Sequence, residues 1–501
     1  MNKFKQKFTS YLKGRDFPSN VTTTMIIAAV VFVNIIIYTL TSQLGLYIYQ
    51  PEPLDLSITD SSDEIFERAF GKKVTVTFCM YEDDLDVHST GKFVHVTAKN
   101  FAERYPDLFE LRYVNVITQL DSEGEFVDLS VYKYDGRGKE NAILSTSVIF
   151  ECGSNYRVVT DAITGAGFAD FFTLDSSYTP TSYNGEETFS AMTRWVLTDE
   201  HKVAFFTVGH GETASLHLYN ALVHAGYYVE EINLRDSSLD ENKFLSDAGL
   251  VVISNPTTDL ERAAEGSSVH TDMERLEAYA ARGGKFLVTL DPLARKMPEL
   301  TSFLESYGMG VMTDADGASL VIKDSYNAIP TDDFTVVVDY ASGEVAQSVA
   351  ANIKDSGNRV ILRNCAPLRL LGDAEPMLVT SEHAVAHSGE DVYDREGSYA
   401  VAAHSIGEDG SRLFFIPSVF FTAADAMVSS GYSNKEFITS LADEYYGMGD
   451  MPYGCRSILY DDTTLENLTM SSVRLYVAIA LAIPALLAAL GAVVIIKRRN
   501  R

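Results

Sequence analysis

His210 and Glu212 stand two residues apart in Gly209-His210-Gly211-Glu212, immediately after the apolar run Lys202 to Gly209. An imidazole this close to a carboxylate could line a polar ligand pocket, supply part of a metal site, or take part in catalysis beside a nucleophile. The two glycines permit close backbone approach, and a following helix would offer N–H donors. Asn255, in Ser254-Asn255-Pro256, and Asp291, before Pro292, end two further apolar runs. If these runs are parallel strands, all of these residues meet at the carboxyl edge of one sheet, where open α/β sheets bind ligands. His210, Gly211, Glu212, Asn255 and Asp291 are therefore the candidate ligand-binding residues. The alternative is structural: Glu212 serving the helix N-terminus, His210 bonding a neighbouring loop, and Asp291 starting a turn.

Catalysis has less support. The chain has no G-x-S-x-G or G-x-C-x-G nucleophile turn, and Cys365 is followed by Ala366 and Pro367. That proline removes one N–H where an oxyanion hole would be sought. A metal site would need a third ligand; His217 and Asp259 are mere possibilities, and C-x-x-C spacing is absent. No phosphate-binding G-x-x-x-x-G-K-[ST] loop occurs, so the chain is not an ATPase motor. The pattern calls for no cofactor and no catalytic residue.

The elements that must position these residues follow from periodicity. Lys73–Met80 and Leu108–Ile117 read as strands around a helix at Phe93–Tyr105, a βαβ start. Val127–Tyr134, Ala142–Glu151 and Tyr156–Asp161 read as further strands. A helix at Glu186–Leu197 then leads into a buried strand at 202–209, strands at 227–234 and 248–254, and a further buried strand at 285–292. Helices at 214–226, 272–284 and 298–308 separate them, so the alternation predicts a parallel, doubly wound α/β sheet.

Composition sets the outer bounds. The 501 residues are 46% hydrophobic, which excludes a disordered polymer, and suffice for about three domains. A net charge of −29 excludes a broad phosphate-binding surface and hence nucleic acid as a partner. The charge is uneven, with basic tips at Lys3–Arg15 and Lys497–Arg501. Between Phe17 and Pro51 no side chain is charged, and Leu475–Ile496 is a second long apolar run. These predict transmembrane helices at 21–42 and 473–496, with both termini cytoplasmic and the large domain extracytoplasmic. Asn34 would bond another helix and Pro484 would kink its span. Cys79, Cys152, Cys365 and Cys455 read as isolated thiols, with disulfide pairing left open.

The order of these pieces resembles the gliding-motility-associated ABC-transporter auxiliary proteins of the GldG type. The likeness runs through Gly209–Glu212, Ser254–Pro256, Gly283–Lys285, Asp291-Pro292, Pro298, Leu300, Tyr307 and Gly308. It continues in Ser398–Ser405, Ser411–Phe421, Asn434 and Ile483-Pro484, covering nearly the whole chain. One departure is Ile416-Pro417-Ser418, where many relatives have a Gly-Asp-Ser-type turn. The resemblance implies a flavodoxin-like or class I glutamine-amidotransferase-like ectodomain, without conferring that chemistry. It also implies a non-enzymatic, membrane-anchored auxiliary subunit, with an ABC-type permease, its ATPase and the lipid bilayer as partners. The alternatives are a cell-envelope sugar or peptide receptor, or a degenerate envelope hydrolase. The expected organisation is a basic tail (1–20), a span (21–42), a linker (43–72), a smaller N-terminal α/β domain (73–185) and an amidotransferase-like domain (186–450). A juxtamembrane segment (451–472), a second span (473–496) and a basic tail (497–501) complete it.

Overall fold

The computed structural model describes residues 55–67, 69, 71–160, 168–174, 179–264, 267, 270–329, 332–353, 359–389, 391–428, 431–446, 455 and 457–459. Its described part is mixed α/β, with sheets of parallel and antiparallel strands. The first sheet is built from β1 (Val74–Phe78), helix α1 (Gly91–Arg104), β2 (Phe109–Asn115), β3 (Leu120–Asp121), β4 (Val148–Cys152) and β5 (Asn155–Val159). Its order is β3-β2-β1-β4-β5, and only β1 and β2 run parallel, joined through α1 as the βαβ reading expects.

Helix α2 (Gly185–Leu197) crosses this sheet. Around it follow β6 (Val203–Thr207), α3 (Leu216–His224), β7 (Tyr228–Ile232), α4 (Glu241–Asp247), β8 (Ala248–Ser254), α5 (Asp272–Ala280), β9 (Lys285–Thr289) and α6 (Pro298–Ser306). The second half adds β10 (Asp332–Tyr340), α7 (Glu344–Asn352), β11 (Val360–Arg363), β12 (Glu375–Val379), β13 (Ala400–Ile406), β14 (Arg412–Ile416) and α8 (Asn434–Tyr446). Five strands in the order β7-β6-β8-β9-β14 are parallel, and β13, β12 and β10 continue the sheet antiparallel. The expectation of a wholly parallel doubly wound sheet is therefore corrected to a mixed one. The tight connection from β13 at Ile406 to β14 at Arg412 leaves no room for a crossover helix, so that pair must be antiparallel.

Burial on both faces explains the apolar runs. Val203 and Phe205 of β6 face one core with Val251, Phe286 and Met273, while Ala204 and Phe206 face another with Leu218 and Leu222. Successive side chains alternate across a strand, so a strand covered on both sides must be apolar throughout.

Two other expectations differ. Val127–Tyr134 forms no strand; Leu129–Tyr132 is a 3-10 turn, because Asp128 accepts hydrogen bonds from Ser130 N at 3.0 Å and Ser130 Oγ at 2.6 Å. Local capping outcompetes the ladder there. Residues 60–67, expected within a linker, form a 3-10 turn and a short helix that bury Ile65 and Phe66 against α1 and β2. Ile458–Leu459 pairs with Pro180–Tyr183 as a short strand.

The expectation of a two-span membrane protein with its body outside is also corrected. No helix among the described residues is long and apolar enough to cross a membrane. The 14 residues of α1 extend about 21 Å, short of a ~30 Å hydrocarbon core. The segments 21–42 and 473–496, with Asn34 and Pro484, lie outside the described residues.

Phe189 of α2 sits at the centre of the first core, with ring centroids 5.1 Å from Phe150, 5.4 Å from Phe101 and 5.5 Å from Phe171. Phe189→Ala should cost about 3–5 kcal/mol. A lowered urea midpoint, followed by the fluorescence of the sole tryptophan, Trp195 on the same helix, would report it. An unchanged midpoint would show that α2 is not the anchor of this core.

Candidate functional site

The three loops carrying the candidate residues follow β6, β8 and β9, which are adjacent and parallel, so they emerge at one edge of the sheet. Strand order reverses between β6 and β8, the topological switch point where such sheets open a crevice. Here the chain's own groups stitch the crevice together. Thr257 N and Thr258 N donate to His210 O at 2.9 and 3.0 Å, and Thr213 N donates to Ser254 O at 2.9 Å. Ser254 Oγ returns a bond to Thr213 O at 2.6 Å.

His210 is 2% exposed and lies between two carboxylates. Its Nδ1 bonds Glu212 Oε1 at 3.0 Å and its Nε2 bonds Asp272 Oδ2 at 2.9 Å, while its backbone N donates to Glu212 Oε2 at 2.6 Å. A ring whose two nitrogens both face carboxylate oxygens donates from both and is an imidazolium. Burial alone would depress its pKa, but the hydrogen bonds and charges of Asp272 and Glu212 outweigh burial and raise it to about 9. Burial likewise opposes the charge on Glu212, yet bonds from the His210 ring and from the N–H groups of Glu212 and His210 hold its pKa below the usual carboxylate range.

Asp272 is the residue that sequence reasoning missed. It occupies the first position of α5, behind the capping box of Thr271 and Glu274, and is completely buried. The Thr-x-x-Glu spacing marks the helix start, but nothing local marks Asp272 as the partner of a histidine 62 residues away. Its Oδ2 also accepts from Glu261 N at 2.8 Å. Arg235 closes the ring of contacts, donating to Gly209 O at 2.6 Å and to Glu261 Oε1 at 2.7 Å.

The glycines serve this packing. Gly211 has φ +73°, and a Cβ there would lie 2.1 Å from Thr257 Oγ1; at Gly209, φ +116°, it would lie 2.8 Å from the Arg235 guanidinium. The space is filled by the chain's own side chains.

Asn255 and Asp291 do not join the His210 contacts. Glu212, bound to His210, does not cap α3, whose N-cap is Ser215, which accepts from Leu218 N at 3.2 Å. Asn255 adopts φ +50° and donates its N–H to Thr289 O at 3.0 Å; its buried Oδ1, like Asp272 Oδ1, has no hydrogen-bond partner among the described residues. Asp291 starts a turn, accepting from Leu293 N at 2.9 Å and, on its carbonyl, from Ala294 N at 3.0 Å. Asp259 caps α6 by accepting from Glu299 N and Leu300 N at 2.9 and 3.1 Å. No group of three His, Cys, Asp or Glu side chains is placed to hold a metal ion among the described residues. All four cysteines are free; burial pushes the Cys79 and Cys365 thiols up to about 12.

No family model matches the chain, and no curated protein matches it. Among solved structures, it is similar to an mmIFT52 N-terminal domain at 16% identity, covering 50% of this chain and 99% of that one, with TM-score 0.35. PurLQS from Thermotoga maritima is similar at 15% identity over 49% of this chain and 99% of that one, with TM-score 0.28. A cytoplasmic protein from Salmonella typhimurium is similar at 12% identity over 48% of this chain and 97% of that one, with TM-score 0.32. These similarities name no GldG-type family.

The raised His210 pKa fixes the sign of a pH effect. An unfolded histidine titrates near about 6.5, so this contribution is complete below about pH 6.5 and is lost as pH rises through about 9. The depressed Glu212 contributes above about pH 4.3 and its share is lost as pH falls. The stability gap between wild type and His210→Gln, measured by thermal melts, should therefore be widest near pH 6 and shrink above pH 9; a gap independent of pH would mean the ring is uncharged. Asp272→Asn should cost about 3–5 kcal/mol, because it strips a buried cation of one counter-charge.

Proposed function

We propose that the chain is a non-enzymatic auxiliary subunit of an ABC-type transport complex, with its α/β body engaging a partner. The ordered likeness to GldG-type proteins from Gly209 to Asn434 supports the transport assignment. The observation that carries the non-enzymatic part is the His210 imidazolium held between Glu212 and Asp272. A ring with both nitrogens donating has no lone pair to take a proton or to bind a metal, so it is a brace between loops. Thiols with pKa values of about 12 supply negligible thiolate for attack. The five parallel strands in the order β7-β6-β8-β9-β14 support a flavodoxin-like or class I glutamine-amidotransferase-like core. ATP hydrolysis and the transport path then belong to other subunits.

Two measurements test this. The purified chain should show no turnover of amide, ester or glycosidic probes that disappears in both His210→Ala and Glu212→Ala while circular dichroism stays native. Tagged chain extracted under mild conditions from its own cells should co-purify with an ATPase and a multi-span permease. Turnover lost in both variants would make the protein an enzyme, and extraction that brings down neither subunit would remove the transport assignment.

A further inference from the structure

The first sheet has its own carboxyl edge, and there the chain is open. Past the ends of β1 and β2 lies a groove of about 550 Å3, lined by Cys79, Met80, Val87, His88, Val116 and Ile117 among others. That volume and position suit a binding site in an α/β protein.

Its lips are apolar and held outward. Val87 is 82% and Ile117 is 88% exposed, extreme values for aliphatic side chains. Ile117 rides on a turn in which Asn115 Oδ1 accepts from Ile117 N at 3.0 Å and from Thr118 N at 3.1 Å, while Asn115 O accepts from Gln119 N at 2.7 Å. Val87 ends the Glu82–Val87 helix, closed by His88 N donating to Leu85 O at 3.1 Å; His88 Nδ1 accepts from Gly91 N at 2.9 Å. Apolar groups fixed in this way cost a partner little ordering entropy.

The flanking helix adds charge. Of its four acids, Glu82 pairs with Lys99 at 2.7 Å and Asp86 with His95 at 2.8 Å. Asp83 and Asp84 are exposed and have no ion-pair partner among the described residues, and Asp84 lines the groove. On a chain of net charge −29, such a rim repels acidic partners and attracts basic ones.

We propose that this groove receives a basic, extended segment of a partner protein, seating one aliphatic or aromatic side chain between Val87 and Ile117 and pairing a lysine or arginine with Asp83 or Asp84. The proposal rests on the partner-binding reading above and assigns that role to the first sheet rather than to the His210 loop.

The test uses the full chain and a fluorescein-labelled peptide, Lys-Lys-Leu-Lys-Lys, followed by anisotropy at low salt. The analogue with glycine in place of leucine should bind about tenfold more weakly or worse. Ile117→Gln should erase the difference between the two peptides. Asp83→Asn with Asp84→Asn should weaken both several-fold and flatten the salt dependence. These side chains are exposed, so melting temperatures should not change. Binding that ignores the leucine, a leucine preference that survives Ile117→Gln, or no binding would overturn the proposal. So would sedimentation showing that the wild type self-associates and Ile117→Gln does not, which would assign the groove to a second copy of the chain. A transporter that still co-purifies when the peptide fails would overturn the groove alone.

Discussion

Helix α2 is buried around almost its whole circumference, and that constraint organises the molecule. Glu186, Thr188, Phe189, Ser190, Ala191, Met192, Thr193, Arg194, Trp195 and Val196 are all buried. Its aromatic side completes the core of the first sheet, while its polar side meets the helices of the large sheet. There Arg194 pairs with Asp443 at 2.6 Å, and Glu187 pairs with Lys435 at 2.7 Å and contacts His224 at 3.2 Å. Charges withdrawn from water in this way require partners, so the pairing specifies how α2 lies against α3 and α8. Apolar packing alone would tolerate sliding; a half-buried carboxylate opposite a lysine does not.

The same logic governs the His210 loop on a smaller scale. Two carboxylates with one imidazolium between them join the segment after β6 to the start of α5, and the backbone bonds from Thr257 and Thr258 bring in the segment after β8. The arrangement has the residue types of an active site and the bonding of a brace. What separates the two is the availability of lone pairs and space, and here both ring nitrogens and the volume beside Gly211 are taken. The groove of the first sheet is the opposite case. It is open, lined in part by exposed apolar side chains and by Asp84, and Ile117 is held outward by a hydrogen-bonded turn.

Much of the architecture was legible in the residues because burial on both faces of a strand leaves an unmistakable trace. Val203–Thr207, Ala248–Ser254 and Lys285–Thr289 are apolar apart from their end residues, and the helices between them show their caps, such as Pro298 at the start of α6 and the Thr271 to Glu274 box of α5. Leu129–Tyr132 was not legible as a helical turn, since its alternation suits a strand and a single Asp128 cap decided the outcome. Direction in the second half of the sheet was equally hidden. β12, β13 and β14 have strand-like composition either way, and only their pairing makes β12 and β13 antiparallel.

By itself the sequence determined most of the strands and helices between α2 and α6, and that His210, Asn255 and Asp291 follow apolar, strand-forming runs. Those properties are set by local periodicity, capping and chain connectivity. Tertiary structure alone decided that Asp272 reaches His210, that Thr257 fills the space beside Gly211, and that Val87 and Ile117 line one open groove. Each of these depends on contacts between residues far apart in the chain, and the free energy of a buried charge depends on the partner that three-dimensional packing brings to it.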